Sequence, residues 1–420
     1  DARGGGALAK QQTKTARAGA LTTQNAMMEI EQPLRLLVLK PSNHRFFADL
    51  LENFMGGGTV IYAADSPDLP DLIDLIEIPA SGRRDLFWLF KDAVLARLKY
   101  GFAPLLVAMS SENAPPPLIP GLDYAASPFA PTGEKHLRYN WALNQLYGRA
   151  LLEPDGAAAQ ELSAERARQK TKFCNYVYSN DQLPQTERRR DFCRALSQYK
   201  RVDCAGRSLN NTDALRKLDK GEFNPNLHGA YNYEWHRPKL RFLSDYKFTI
   251  AFENATADDY LTEKALMPLA VGSVPIYWGS PQVGEYINPR SFINADDYDS
   301  FEALVAHVKR VDADPNLYQE YRNAPPLLPS SRFYDMERAA APFLERVAAA
   351  AYRRRSAPSA DGWLNWRRYY QVGKLTYANR KLIFANRRLY RHFSRVALIR
   401  LARAIKRLVN KAAPRRLRLQ

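Results

Sequence analysis

Cysteine is nearly absent from this chain: Cys174, Cys193 and Cys204 are the three in 420 residues. An odd number without metal-ligand spacing argues against bridges or a metal framework, and predicts three small buried hydrophobes in a reducing compartment. No uncharged apolar run reaches about 18 residues, so no membrane-spanning helix is expected. Histidine is scarce as well, with six residues that pair with no carboxylate or cysteine motif; structural roles are their default reading. Acid almost disappears after residue 350: twenty Lys and Arg stand against Asp361 alone. That segment carries +19 of a whole-chain net charge of +17, which leaves −2 for residues 1–350. Attraction to polyanions therefore belongs to the tail, and the body is nearly neutral.

What is present is a hydrophobic content of 46%, normal for a globular protein, in a chain too long for one ordinary core. Two domains with ends are expected. Residues 1–30 are rich in Ala, Gly, Thr, Gln and Lys without periodicity, and read as a disordered leader without a signal peptide. Residues 31–160 and 161–350 are the expected domains, and 351–420 the basic tail.

The most informative stretch is 246–294, YKFTIAFENATADDYLTEKALMPLAVGSVPIYWGSPQVGEYINPRSFIN. Lys247 to Phe252 suits a buried strand, left through Glu253 and Asn254 where a parallel sheet exposes its carboxyl edge. Thr262, Glu263 and Lys264 open an apolar-periodic helix that Gly272 stops, and Val274 to Trp278 is the next strand. Ligands of open α/β sheets bind at such strand ends. Tyr260 offers a ring and a hydroxyl, Glu263 can accept two ribose hydroxyls, and Lys264 lies in a helical first turn that already favours an anion. The stretch thus reads as a nucleotide and diphosphate seat. A first-turn acid beside a solvated lysine is the plainer reading of the same spacing. Asn254-Ala255-Thr256 spells a glycosylation acceptor, but a glycan there would block the proposed site.

Strands are further expected at Leu34 to Leu39, Thr59 to Ala63, Pro104 to Met109, Phe173 to Tyr178 and Val202 to Ala205, with helices over 83–99, 301–311 and 316–323. The Asn53 to Gly58 region reads as a turn before a strand, and its triple glycine, Gly56 to Gly58, as part of that turn and not a phosphate loop. Glu112, after the strand ending at Met109 and before Pro115, Pro116 and Pro117, is the candidate general base. Arg188, Arg189 and Arg190 sit on a helix that can point only one or two of them at a ligand. Tyr231 to His236 reads as an aromatic loop. Asp312-Ala313-Asp314 is a DxD by spelling, but its place between two helices and before Pro315 suggests capping, not metal binding.

The segments YKF, FEN, DY, TEK and the VPIYWGSP strand end, in that order, resemble the signature of the α1,3/4-fucosyltransferase family, and the ending resembles its bacterial branch. SENAPPPLIPGLDY is similar to the family's segment around its catalytic base, which falls on Glu112, with Ser111 where many members have Gly. The family's Arg three residues before a Phe selects Arg189 as the phosphate contact, with Arg188 and Arg190 as fallbacks. The resemblance implies a GT-B fold of two Rossmann-like domains facing across a cleft. It implies an inverting transfer of fucose from GDP-fucose to the N-acetylglucosamine of a galactose-N-acetylglucosamine acceptor. Donor contacts would come from Arg189, Glu253, Asn254, Tyr260, Glu263 and Lys264, with no tightly held metal and a divalent cation at most optional. A transferase for another nucleotide sugar, and a non-catalytic membrane or polyanion binder, are the rival classes.

In the tail, LTYANRK, LIFANRR and LYRHFSR repeat every seven residues, with Leu375, Leu382, Leu389 and Val396 in phase. This is coiled-coil spacing with Asn379 and Asn386 at the seam, which leaves a weak homodimer and a solitary helix equally open. From Phe393, an apolar stripe of Val396, Leu401, Ile405 and Leu408 faces Arg395, Arg403, Lys406, Arg407 and Lys411. Such a helix suits an anionic membrane surface, and its stripe would be wasted on nucleic acid. A cytoplasmic enzyme, peripheral on the inner face of the membrane, is the expectation.

Overall fold

The computed structural model describes residues 33–38, 46–55, 59–63, 73–77, 104–110, 122–129, 131, 133–179, 181, 186–218 and 233–356. The expected leader, Gly56 to Gly58 of the expected turn, the helix over 83–99, Glu112 with its prolines, and the heptads and interfacial helix of the tail lie outside these residues; Asn53 to Met55, expected in that turn, instead end a helix over Phe46–Met55.

Two parallel sheets organise the chain. The first contains β1 (Leu34–Val38), β2 (Thr59–Ala63), β3 (Leu75–Glu77), β4 (Leu105–Met109), β5 (Tyr124–Ser127) and β6 (His136–Arg138), in the order β2-β1-β3-β4-β5-β6. The second contains β7 (Lys172–Tyr176), β8 (Val202–Cys204), β9 (Tyr246–Phe252), β10 (Val274–Trp278) and β11 (Ile293–Asn294), in the order β11-β10-β9-β7-β8. Near-continuous apolar runs such as LLVAM in β4 and VPIYW in β10 are buried along their whole length, as parallel sheets covered on both faces require. In each sheet the second strand lies on one side of the first and the third on the other. The crevice at that reversal, beyond the carboxyl ends of the strands, is where such sheets bind ligands.

The helices that matter below are α1 (Phe46–Met55), α2 (Leu146–Leu152), α3 (Thr186–Ser197), α4 (Tyr233–Leu243), α5 (Glu263–Ala270), α6 (Phe301–Ala313), α7 (Pro315–Asn323) and α8 (Arg332–Ser356). Helix α4 replaces part of the loop expected at Tyr231 to His236, and Pro238 stands inside it. The helical pattern there is masked by a residue that normally breaks helices. Helix α8 runs across the domain boundary expected at residue 350. It starts beside the second sheet, where Arg332 pairs with Glu285, and ends on the first, where Arg354 contacts Asp123 at 2.7 Å and Arg355 Nε donates to Asp74 at 2.7 Å. The rings of Phe343 and Tyr124 meet edge to face midway, 5.7 Å apart. A single helix thus ties both sheets together.

Local chemistry follows the expected logic elsewhere. All three cysteines are buried and free, with the Cys193 and Cys204 sulfurs 3.6 Å apart between α3 and β8. Asp314 caps α7 by accepting from the Asn316 and Leu317 amides at 2.9 and 3.2 Å. Asp312 is spent differently: its side chain, 2% exposed, pairs with Lys200 and with Lys247 at 2.8 Å. Among the described residues no helix is long and apolar enough to cross a membrane.

The Asp312 contacts give a testable consequence. Burial works to raise its carboxyl pKa, but the hydrogen bonds from Lys200 and Lys247 win and hold it below the usual value. Its stabilising contribution is therefore present above about pH 3.9 and lost as pH falls through the lowered value. Asp312→Asn should cost roughly 1–3 kcal/mol in denaturant unfolding near pH 7, less than a fully buried pair because both lysines are partly exposed. The difference from wild type should shrink toward pH 3; an equal loss at both pH values would show that charge is not what Asp312 supplies.

Candidate active site

The residues singled out in the sequence gather at the reversal point of the second sheet, past the ends of β7 and β9. The chain leaves β9 at Phe252, and one further bond, Glu253 N–H to the Trp278 carbonyl at 2.8 Å, carries the pairing with β10 one step on. Glu253 is completely buried. Its two carboxylate oxygens accept from the Thr262 amide and the Thr262 hydroxyl, both at 2.7 Å. Thr262 in turn is the N-cap of α5, its hydroxyl accepting from the Lys264 amide at 3.3 Å. The strand end therefore grips the helix start directly, across a loop of eight intervening residues.

Gly279 explains how Glu253 fits. A Cβ at this position would lie 2.6 Å from the Glu253 Cγ and 2.5 Å from the Tyr277 hydroxyl. Only glycine lets the turn after β10 pass so near the carboxylate. The stop at Gly272 has another cause, a backbone φ of +71° that closes α5 in the left-handed region.

The three arginines of α3 separate cleanly. Arg188 lies over the rings of Trp278 and Phe301, at 5.1 and 5.3 Å, with Asp296 3.8 Å away. Arg190 turns to Asp181 at 3.5 Å. Arg189 alone turns inward: it is 1% exposed, stacks 4.1 Å over Tyr178 and donates to Asn254 Oδ1 at 2.9 Å. One residue of slip along a helix turns a side chain by about 100°, so three adjacent arginines face different surroundings. The choice of Arg189 over its neighbours thus matches its inward placement.

On the other side stands Lys264. Its ammonium lies 3.4 Å from Glu253, 3.3 Å from Glu263 and 3.1 Å from the Thr262 hydroxyl. Burial alone would lower the Lys264 pKa, but Glu263 and Glu253 drive it well above the usual lysine range. Glu253 goes the other way: burial raises its pKa, more than Lys264 lowers it. For Glu263, burial would raise the pKa, yet Lys264, then Lys239 and His236, bring it down to about 2. Glu263 remains 23% exposed, so an ionised carboxylate faces outward at the first turn of α5. Tyr260 is also close enough to influence Lys264, but its ring is buried, under the site instead of at its mouth.

The first sheet meets this loop at its own carboxyl edge. Arg138, the last residue of β6, pairs with Asp259, whose φ of +61° is uncommon for a residue with a side chain. The Tyr286 hydroxyl donates to Asp259 at 2.7 Å, and Asn140 Nδ2 donates to the Leu261 carbonyl at 2.8 Å. Ser110, the last described residue before Glu112, directly follows β4 at this same edge, two strands from β6. Glu112 itself lies outside the described residues. The anchoring of the loop by Arg138, and the approach of Lys239 and His236 from α4, were not anticipated from sequence. Reading 233–243 as a helix despite Pro238 would have brought both α4 residues to notice.

Comparison with known proteins fits this geometry. Residues 167–324 match the family model of the glycosyltransferase family 10 (fucosyltransferase) C-terminal region. The match covers just over a third of the chain. The matched segment contains Arg189, Glu253, Asn254, Tyr260, Glu263 and Lys264, and stops short of Glu112. Over 135 residues the chain is 38% identical to alpha-(1,3)-fucosyltransferase B of Drosophila melanogaster, covering 32% of this chain and 29% of that protein. Over 147 residues it is 35% identical to GDP-fucose protein O-fucosyltransferase 3 of Homo sapiens, covering 35% of this chain and 28% of that protein. The similarity thus spans less than a third of either relative's length. A crystal structure of an alpha1,3-fucosyltransferase superposes with a TM-score of 0.50 at 22% identity, covering 76% of this chain and 91% of the other. The fold is accordingly GT-B.

The Glu253 clamp can be tested without any substrate. Glu253→Gln keeps the shape but sets an amide donor against the Thr262 amide or hydroxyl. It should destabilise by roughly 1–3 kcal/mol and speed hydrogen exchange at the Thr262 and Lys264 amides. Unchanged exchange at both would mean that the helix start is held by something else.

Proposed function

We propose that this protein is an inverting fucosyltransferase that uses GDP-fucose as donor. The observation that carries the reading is the convergence of Arg189 and Lys264, from two different helices, on the Glu253-Asn254 strand exit. Two permanent cations and the free amides of a helix start suit a leaving diphosphate. Glu263, ionised and open, takes the ribose hydroxyls, Asn254 sits between Arg189 and the donor, and the buried Tyr260 supports the nucleoside end of the seat from beneath. The family match over residues 167–324 and the relatives' names support the same donor.

In the reaction, Glu112 accepts the proton of the acceptor hydroxyl as its oxygen forms a bond to the anomeric carbon. The bond from that carbon to the β-phosphate oxygen breaks on the opposite face, so configuration inverts in one displacement and GDP leaves with the electron pair. The acceptor is the N-acetylglucosamine hydroxyl of a galactose-N-acetylglucosamine unit, with the α1,3 linkage as the first assignment. The likeness to a protein O-fucosyltransferase favours a second acceptor class, a hydroxyl on a protein. We further propose that the basic tail holds the enzyme on an anionic membrane face, because its stripe and charge suit that surface.

Incubation with GDP-fucose and N-acetyllactosamine, followed by mass spectrometry, should show product and equimolar GDP. Transfer to an unfolded or folded protein but not to the glycan would move the acceptor assignment. No GDP release with either would end the enzymatic reading. Glu112→Ala should lose on the order of 10²- to 10⁴-fold in turnover with GDP affinity kept; normal turnover removes it as base. Lys264→Ala should weaken GDP binding about tenfold or more in calorimetric titration. Deleting 389–420 should abolish flotation with anionic liposomes while soluble activity persists.

A further inference from the structure

The turn that carries the chain from Glu253 to the start of α5 is held partly by side chains from the half built on the first sheet. Arg138 closes β6, and Asn140 follows two residues later. They meet the loop at Asp259 and Leu261, and the buried Tyr260 lies between those two points. Arg138 is rooted in its own half by Nε, which donates to the Pro128 carbonyl at 3.2 Å. Its Nη2 reaches across to the Tyr286 hydroxyl at 2.8 Å and to the Asp259 carboxylate. Asn140, 1% exposed, divides its amide between two tasks. Oδ1 accepts from the Ala142 amide at 3.0 Å and so caps the short 3-10 helix over Trp141–Asn144, while Nδ2 donates to the Leu261 carbonyl at 2.8 Å. That carbonyl precedes the N-cap Thr262 and lies outside the hydrogen-bond ladder of α5.

The second half holds the same loop from its other side. Gln282 Oε1 accepts from the Asp259 amide at 3.1 Å, and Tyr286 and Arg332 meet the Asp259 carboxylate at 2.7 and 3.4 Å. Asp259 keeps a left-handed backbone, φ +61°, and such a conformation persists only where its surroundings over-determine it. Arg138 and Asn140 are what the first half adds to those surroundings.

We propose that Arg138 and Asn140 are positioning residues of the donor seat: from the first half they hold Asp259 to Leu261 in the turn that sets Tyr260 beneath the nucleoside and brings Thr262 to Glu253. This rests on the nucleotide reading above and deepens it, because donor affinity then depends on side chains of the half proposed to supply the base. Loosening the turn lowers the fraction of molecules with a formed seat, and the apparent dissociation constant rises by the same factor.

The test is calorimetric titration of GDP into the full chain as wild type, Asn140→Asp, Arg138→Met, Asp259→Asn and the Met/Asn double variant, with thermal unfolding of each. Asn140→Asp keeps an acceptor for the Ala142 amide but turns a carboxylate on the Leu261 carbonyl, so it breaks the crossing contact and spares the local cap. It should bind GDP about tenfold more weakly, the effect of a seat formed in about a tenth of the molecules. Arg138→Met should weaken binding to a similar degree. Asn tolerates the left-handed backbone and offers Arg138 no charge, so in the Asp259→Asn background the Met substitution should add no more than about a twofold loss. Contacts that only stabilise the fold would lower the unfolding temperature and leave GDP affinity at the wild-type value in Asn140→Asp and Arg138→Met, which overturns the proposal. An undiminished Arg138→Met loss in the Asp259→Asn background does so too, since Arg138 would then act elsewhere. If Arg138→Met does not fold, Arg138→Lys carries the same comparison, because a single ammonium cannot meet Asp259, Tyr286 and Pro128 together. A wild type that binds no GDP refutes the nucleotide reading, and this inference with it; a wild type that binds while the variants match it refutes this inference alone.

Discussion

A carboxylate taken fully out of water holds this site together. Desolvating Glu253 costs several kcal/mol, and its raised pKa is the signature of that cost. Two hydrogen bonds from Thr262 and the ammonium of Lys264 offset it. Because Thr262 is also the cap of α5, the same contacts fix where the first helical turn points. Gly279 belongs to this arrangement, since any side chain there would occupy the space of Glu253. Strand end, helix start and the following turn thus form one unit, and an error in any of the three displaces the others.

That unit is fastened to the rest of the molecule at its loop. Asp259 holds a left-handed backbone that would be unfavourable by itself, and Arg138, Tyr286 and Arg332 converge on its carboxylate. Arg138 comes from the last strand of the first sheet, so the loop between Glu253 and Thr262 is gripped from both halves. Helix α8 adds a second tie: Glu337 on it accepts from Tyr139 and, at 2.6 Å, from Arg149 in the last turn of α2. The consequence for chemistry is positional. The carboxyl edges of the two sheets meet around one loop, and that is the placement a donor seat and an acceptor base on separate sheets require.

Much of this was legible in the chain itself. The run from Lys247 to Trp278 announces strand, helix and strand by periodicity, and Thr262 and Gly272 mark the helix ends where they fall. Arg189 is singled out among three adjacent arginines only by the spacing of the family it resembles; its inward direction comes from α3 packing Phe192 and Leu196 into the core. What stayed hidden was short or nonlocal. Strands β3 and β6 have three residues each, too few for a period to show. Helix α1 was missed because its start is not capped locally: Glu77, 30 positions from Phe47, accepts from the Phe47 and Ala48 amides at 2.7 and 2.9 Å. The role of Asp259 is of the same kind, since it depends on Arg138 far along the chain.

The central claim is that Arg189 and Lys264 form one seat for a diphosphate, held in register by Glu253. The most direct test compares GDP with GMP in titrations of the wild-type chain and of Arg189→Gln. The account predicts that GDP binds at least about tenfold tighter than GMP, and that Arg189→Gln removes most of that preference. Equal affinities for the two nucleotides, or a preference untouched by Arg189→Gln, would contradict it.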